Sequence, residues 1–140
     1  MNLPRLAFAS LAAFLAYFVV GGVVFVMVPS LKKEFLKYPA VHRDHEGQVR
    51  LFPVGMAGMS LSIVALTVLY AMLANNGSGL ANGIRFGALI GVFFVGSFVI
   101  HNYVNLNIGL KLSLQQAVAY FSEWLIVGIV ISVIYRPAAP

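Results

Sequence analysis

The chain contains four long apolar stretches, each bounded by charged residues or by turn residues. They lie near residues 6–28, 52–73, 84–105 and 113–135. A helix of about 20 apolar residues crosses the roughly 30 Å hydrocarbon layer of a membrane, so each stretch is long enough to span it. The apolar residues run continuously and do not alternate as they do in the strands of a membrane β-barrel. The pattern predicts an all-α membrane protein with four transmembrane helices in one compact bundle.

Composition supports this class. Apolar residues make up 61% of the 140 residues, charged residues make up 9%, and the mean hydropathy is +0.93, which lies outside the range of ordinary globular domains. Four spans and their connections use nearly the whole sequence, so we expect a single transmembrane domain over residues 1–140. The sequence has no cysteine, which removes disulfides, thiolate metal ligands and cysteine nucleophiles from consideration.

Basic residues are distributed unequally between the segments that connect the spans. One side of the predicted bundle carries Lys32, Lys33, Lys37, Arg43, Arg50 and Lys111, and the other carries Arg5, Arg85 and Arg136. Because cytoplasmic loops are enriched in Lys and Arg, we expect loop 29–51 in the cytoplasm, with both termini and loop 75–82 outside. Residues 30–38 are either an ordinary basic anchor, which we favour, or a short helix whose lysines face anionic headgroups. Either role explains the net charge of +5 without a nucleic-acid partner.

The third span repeats glycine every four residues. Gly83, Gly87 and Gly91 lie about one helical turn apart, and Ser97 continues the same side of an ideal helix. Small residues at this spacing let two helix backbones approach closely in a membrane. We expect these four residues to form a helix-packing face, whose partner is either another span of this chain or a second copy.

Polar residues also occur inside the third and fourth spans. On an ideal α-helix, His101 and Asn105 project to the same side as the glycines, so we expect both to look into the protein. The fourth span presents Gln116, Tyr120 and Glu123 on one side. Glu123 is the only acidic residue in any predicted span, and an uncompensated carboxylate there costs about 2.5 kcal/mol or more. A short turn between the spans allows His101 and Glu123 to lie within roughly 6 Å of the same depth, close enough to pair.

Two interpretations of this polar set stay open. Either it is a ligand or proton site, or the pair fixes the rotation of the helices with Glu123 neutral. The sequence requires no cofactor, although His101 could be one axial ligand to a haem or a chlorophyll-type pigment. His42 and His45 have a spacing that can hold a metal, but polar loops of this kind are usually only solvated, so we predict no metal site.

Several features together resemble a known group of proteins. They are the four short spans, the basic first loop, the stretch GALIGVFF in the third span and the turn HNYVNL before the fourth. In this combination the chain resembles small four-helix bacterial membrane proteins that are described only as domains of unknown function. The resemblance covers most of the chain. It implies a multi-pass protein of the bacterial inner (plasma) membrane, and it implies no reaction and no catalytic residue.

These features lead to two functional hypotheses. The first is a small accessory, assembly or pigment-binding subunit of a larger membrane complex, which the small size and the glycine face favour. The second is an autonomous homo-oligomeric transporter, channel or sensor that uses His101 and Glu123 as a polar site. An enzyme is less favoured, because a His/Glu acid–base pair is all that the spans offer for chemistry.

Overall fold

The computed structural model describes residues 2–74 and 79–135, which are almost entirely helical. The helices are α1 (Leu3–Met27), α2 (Pro29–Phe35), α3 (His45–Leu73), α4 (Leu80–Phe94), α5 (His101–Asn105) and α6 (Leu110–Ile134). A π-helical turn, Val95–Ile100, joins α4 to α5 and makes one continuous helical stretch, Leu80–Asn105. Four stretches in the described residues are therefore long and apolar enough to cross a membrane. This confirms the predicted all-α class and its four long helices.

The connection after α1 is more helical than predicted. Helix α2 occupies the start of the expected loop 29–51, and α3 begins at His45. Pro29 is the first residue of α2, a position where its missing N–H has no consequence. The side chain of Asp44 caps α3 by accepting the backbone N–H of Gly47 at 2.9 Å. The continuous apolar run predicts the part of α3 that fits a membrane, whereas the cap at Asp44 determines where the helix begins.

Helix α6 is the centre of the bundle. It packs along both α4 and α1, while α3 contacts mainly α1. The backbone N–H of Asn2 donates to the hydroxyl of Tyr135 at 3.4 Å, and at the opposite end of α6 the side chain of Gln115 donates to Ser30 at 3.0 Å. Helices α1 and α6 therefore run antiparallel. Two features of the predicted orientation, residues 75–78 and Arg136, lie outside the described residues.

The second half of α3 belongs to the bundle, but its first half does not. The buried residues of this helix are Ile63, Thr67 and Tyr70. The hydroxyl of Tyr70 forms a 2.5 Å hydrogen bond with the hydroxyl of Ser132, which ties α3 to α6. Between residues 45 and 58, every residue except Gly47 and Met56 is exposed. The first half of α3 therefore extends beside the bundle without cover from the rest of the described chain.

Candidate functional site at Glu123

The glycines of α4 lie against α6 of the same chain. Gly83, Gly87 and Gly91 are buried, and a Cβ built at Gly87 would lie only 2.5 Å from the carbonyl oxygen of Leu125. On α6, Gly128 faces Gly87 so closely that neither position has room for a side chain. Gly83, Gly87 and Gly91 therefore pack against α6 of the same chain and are not available to a partner.

Ser97 does not take part in this packing. Its side chain is exposed, and its hydroxyl donates to the carbonyl oxygen of Phe93 at 2.8 Å. Within the described chain, the packing against α6 therefore includes the three glycines and not Ser97. Bonding to the residue one turn earlier satisfies the hydroxyl locally, so the serine needs no partner from another helix.

The π-helical turn explains why Ser97, His101 and Asn105 do not continue the glycine face. In a π-helix each N–H bonds to the carbonyl five residues back, so the turn accommodates an extra residue and rotates everything that follows. The buried positions accordingly pass from Gly91 to Val99. His101 and Asn105 are both exposed, contrary to the expectation that they look into the protein. That expectation assumed an uninterrupted α-helix.

His101 and Glu123 are not brought together. A Cβ at Gly91 would meet Phe121, and the ring of Phe98 packs against Tyr120 with centroids 5.7 Å apart. Because α4 and α6 run antiparallel, the same register places His101 beside the first two turns of α6. That position is at least about 9 Å from Glu123 along the helix axis. Among residues 2–74 and 79–135, the ion pairs involve neither side chain.

Glu123 lies near the middle of α6 and faces α1. The residue is only 6% exposed, and its Oε1 lies beside Gly21, where an added Cβ would be 2.9 Å from that oxygen. The side chain of Tyr17 approaches the carboxyl group from α1 within hydrogen-bonding reach. Within the described chain, Oε2 is buried and has no hydrogen-bond partner. The α1–α6 interface therefore holds a carboxyl group whose second oxygen is unsatisfied.

Aromatic rings pack between the helices around Trp124, the residue that follows Glu123. The rings of Tyr17 and Trp124 lie 5.3 Å apart between centroids, which joins α1 to α6. Phe94, the last residue of α4, packs against both Tyr120 at 5.1 Å and Trp124 at 5.4 Å. The π-helical turn adds Phe98, which packs against Tyr120. A series of aromatic contacts therefore runs from the π-helical turn to Trp124, the residue that follows Glu123, and π-helical turns are frequent at functional sites.

Two further polar groups on α6 are buried without a described partner. They are the indole N–H of Trp124 and the side-chain carbonyl oxygen of Gln116. Of the predicted site, Gln116, Tyr120 and Glu123 remain together on α6, while His101 and Asn105 do not join them. Sequence reasoning did not assign Tyr17 and Gly21 to the site. The available signal is that Tyr17 lies in an otherwise apolar span, four residues before Gly21 and on the same side of the helix.

A charged cluster connects α2 to the start of α6. The Oε1 atom of Glu34 lies 2.8 Å from the Nζ atoms of both Lys37 and Lys111. Hydrogen bonds from Lys111 and Lys37 hold the pKa of Glu34 below its ordinary value. Beside this cluster, the hydroxyl of Tyr38 accepts the backbone N–H of Gly109 at 2.9 Å. The basic loop and Lys111 therefore lie at the same end of the bundle.

One of the two loop histidines, His42, packs against an aromatic ring. The ring of His42 stacks on Phe35 with centroids 3.4 Å apart, and burial lowers the pKa of His42. Asp44 is engaged as the cap of α3. The described ranges contain no group of three or more His, Cys, Asp or Glu side chains arranged to hold a metal ion.

The fold and the site together define a class of protein. Four long apolar helices indicate a multi-pass helical membrane protein, and its distinguishing internal feature is a carboxyl group buried between the first and last spans. No family model, curated protein sequence or solved structure matches this chain. Function is therefore inferred from the contacts described above.

Proposed function

We propose that this protein is a subunit of a larger membrane assembly and that the first half of α3 is its contact surface. The observation that carries the proposal is the uncovered stretch from residue 45 to residue 58. In this stretch, nothing in the described chain lies within 4 Å of a Cβ built at Gly55 or Gly58. Small residues on one side of a membrane helix are typical of close helix–helix contacts.

Comparison with the other glycines supports this proposal. Gly87 and Gly128 are occupied by a neighbouring helix of the same chain, whereas Gly55 and Gly58 face open space. A glycine inside a helix costs roughly 0.5–1 kcal/mol relative to alanine. Gly22 and Gly96 are open as well, but Gly55 and Gly58 lie in the uncovered first half of α3, so we expect the backbone of a partner subunit to approach them.

The proposal includes a location. We place the protein in the bacterial inner membrane with loop 29–51 in the cytoplasm and both termini outside. The excess of Lys and Arg in that loop supports this orientation. The ion pair between Glu34 and Lys111 is consistent with it, because it joins the two basic segments at one end of the bundle.

Native mass spectrometry of the protein, extracted from its own membranes in mild detergent, tests the subunit function. We expect a mass that includes another polypeptide, and we expect Gly55→Leu or Gly58→Leu to reduce that species. Gly96→Leu is the matched control, because Gly96 is equally open in the described chain but lies on the third span, outside the proposed contact surface. Release of the wild-type protein as a bare monomer or a homo-oligomer would contradict an accessory role.

A second candidate function is favoured by the unsatisfied oxygen of Glu123. An ionisable residue in the middle of a membrane span is a functional site by default. On this proposal the protein is an autonomous transporter, channel or sensor that binds a proton or a polar solute at Glu123, with Tyr17 as the neighbouring hydroxyl in place of His101. Flux measurements in proteoliposomes test it. Glu123→Gln is expected to abolish flux, and unchanged flux would remove this role.

A further inference from the structure

A cleft lies between α1 and the start of α3, at the end of the bundle where the loop after α2 runs. It has a volume of about 600 Å³. Its apolar lining consists of Phe25 on α1, Phe35 on α2, and Leu36 and Pro39 in the loop. Phe25 is 45% exposed and Leu36 is 67% exposed, so the rest of the described chain does not cover either side chain. The cleft therefore presents hydrocarbon surface to a ligand.

The same cleft carries two cationic side chains. Lys32 and Arg43 line it, and both residues are exposed. Among the residues that the structure describes, the ion pairs of this region involve Glu34 with other lysines and leave Lys32 and Arg43 without a carboxylate. Asp44 also lines the cleft, but its Oδ1 accepts a backbone N–H as the cap of α3. Two cations beside an apolar surface fit a ligand that combines negative charge with hydrocarbon.

The neighbouring membrane-facing surfaces leave room for an extended hydrocarbon chain. In the described chain, nothing lies within 4 Å of a Cβ built at Gly22 on α1. An acyl chain can therefore lie along α1, outside the contact surface proposed for the first half of α3.

We propose that this cleft binds one anionic phospholipid. Lys32 and Arg43 contact the phosphate, and the first part of an acyl chain lies against Phe25 and Leu36. Both cations lie just beyond the ends of long apolar helices, where the phosphate layer is found if those helices span the membrane. The lipid site does not depend on the partner surface or on the role of Glu123 proposed above.

Native mass spectrometry with defined lipids tests this site. The purified protein is reconstituted into bilayers of phosphatidylcholine with phosphatidylglycerol. After mild extraction, native mass spectrometry identifies the lipids that stay bound to the protein. We expect preferential retention of phosphatidylglycerol. The double variant Lys32→Gln/Arg43→Gln is expected to lower that retention at least about tenfold. Thermal unfolding in the same detergent verifies that each variant is folded.

A matched control separates a specific site from general positive charge. Lys33→Gln/Arg50→Gln removes the same two charges from nearby positions that do not line the cleft, so retention is expected to stay within about twofold of wild type. Phe25→Ala tests the hydrocarbon contact without changing the charge, and it is expected to lower retention as well.

Three results would overturn the proposal. Equal loss in the two double variants would show that the attraction is diffuse, and equal retention of phosphatidylcholine and phosphatidylglycerol would show no selectivity for the headgroup. Displacement of the lipid by glycerol phosphate at the same concentration would show that the cleft recognises a free phosphate and not a phospholipid.

Discussion

The carboxyl group of Glu123 occupies the space beside Gly21 that any side chain at that position would need. A Cβ at Gly21 would lie 2.9 Å from Oε1 of Glu123, whereas a Cβ at the adjacent Gly22 meets nothing within 4 Å in the described chain. Two neighbouring glycines of α1 therefore have different surroundings. Gly21 accommodates the carboxyl group from α6, and Gly22 faces open space.

Gly21→Ala is expected to displace the carboxyl group, and Gly22→Ala is not. The colliding atom is at the flexible end of a side chain, so the free energy of unfolding should change by no more than about 1 kcal/mol in either variant. The carboxyl stretching band in the infrared spectrum measures the displacement, and its loss in Glu123→Gln identifies the band. An unchanged band in Gly21→Ala would show that Glu123 does not lie against Gly21.

The contact between α4 and α6 predicts a larger effect at Gly87. Gly87→Ala forces a methyl group against the backbone at Leu125, which cannot move as a side chain can, so the free energy of unfolding should fall by about 1–3 kcal/mol. Gly96→Ala is the control on the same span, and there the gain in helix propensity makes the change neutral or stabilising. Unfolding in mixed micelles measures both. Equal effects would argue against close α4–α6 packing.

The helical framework could be predicted because membrane helices leave a strong signal. Long apolar runs are required to cross a hydrocarbon layer, so all four long helices are evident from the sequence. Helix ends depend on local caps, and the side chain of Asp44 starts α3 well before its apolar run. The pairing of the glycines with α6 could not be predicted, since small-residue spacing is identical whether the partner is in the same chain or in another.

The site was only partly predictable, and the reason is the π-helical turn. The sequence correctly places Gln116, Tyr120 and Glu123 on one helix, because α6 is regular over its whole length. It misplaces His101, because no residue in VGSFVI marks an extra residue in the turn. A single insertion changes the direction of every later side chain by about 100°.

Deleting Gly96 tests this account of the π-helical turn. Removal of one residue is expected to restore a regular α-helix and to rotate position 101 from the surface toward α6. The chain has no cysteine, so His101→Cys introduces a single thiol whose reaction rate with a membrane-permeant maleimide reports exposure. That rate should fall several-fold in the deletion variant. Val99 is only 2% exposed, so the reaction rate of a thiol introduced by Val99→Cys should instead rise in the deletion variant.

The ion pairs of Glu34 make the stability of the fold depend on pH. Because Lys111 and Lys37 hold the pKa of Glu34 below its ordinary value, the carboxylate contributes stability above that ordinary pKa and loses it as the pH falls through the lowered pKa. Glu34 in turn raises the pKa of Lys37, so the lysine's contribution is present at neutral pH and is lost only as the pH rises through that raised pKa. The cluster is therefore most stabilising around neutral pH.

Glu34→Gln should accordingly lower the melting temperature at neutral pH, and its difference from wild type should shrink on acidification. Thermal unfolding in detergent from about pH 7 to pH 3 follows this change, since the ordinary pKa of a glutamate lies in that range. Glu46→Gln is the matched control, because Glu46 is exposed in the first turn of α3 and the described ion pairs do not include it. It should show little difference at any pH. A Glu34→Gln difference that stayed constant from neutral to acid would mean that Glu34 holds α2 to α6 by packing and not by its charge.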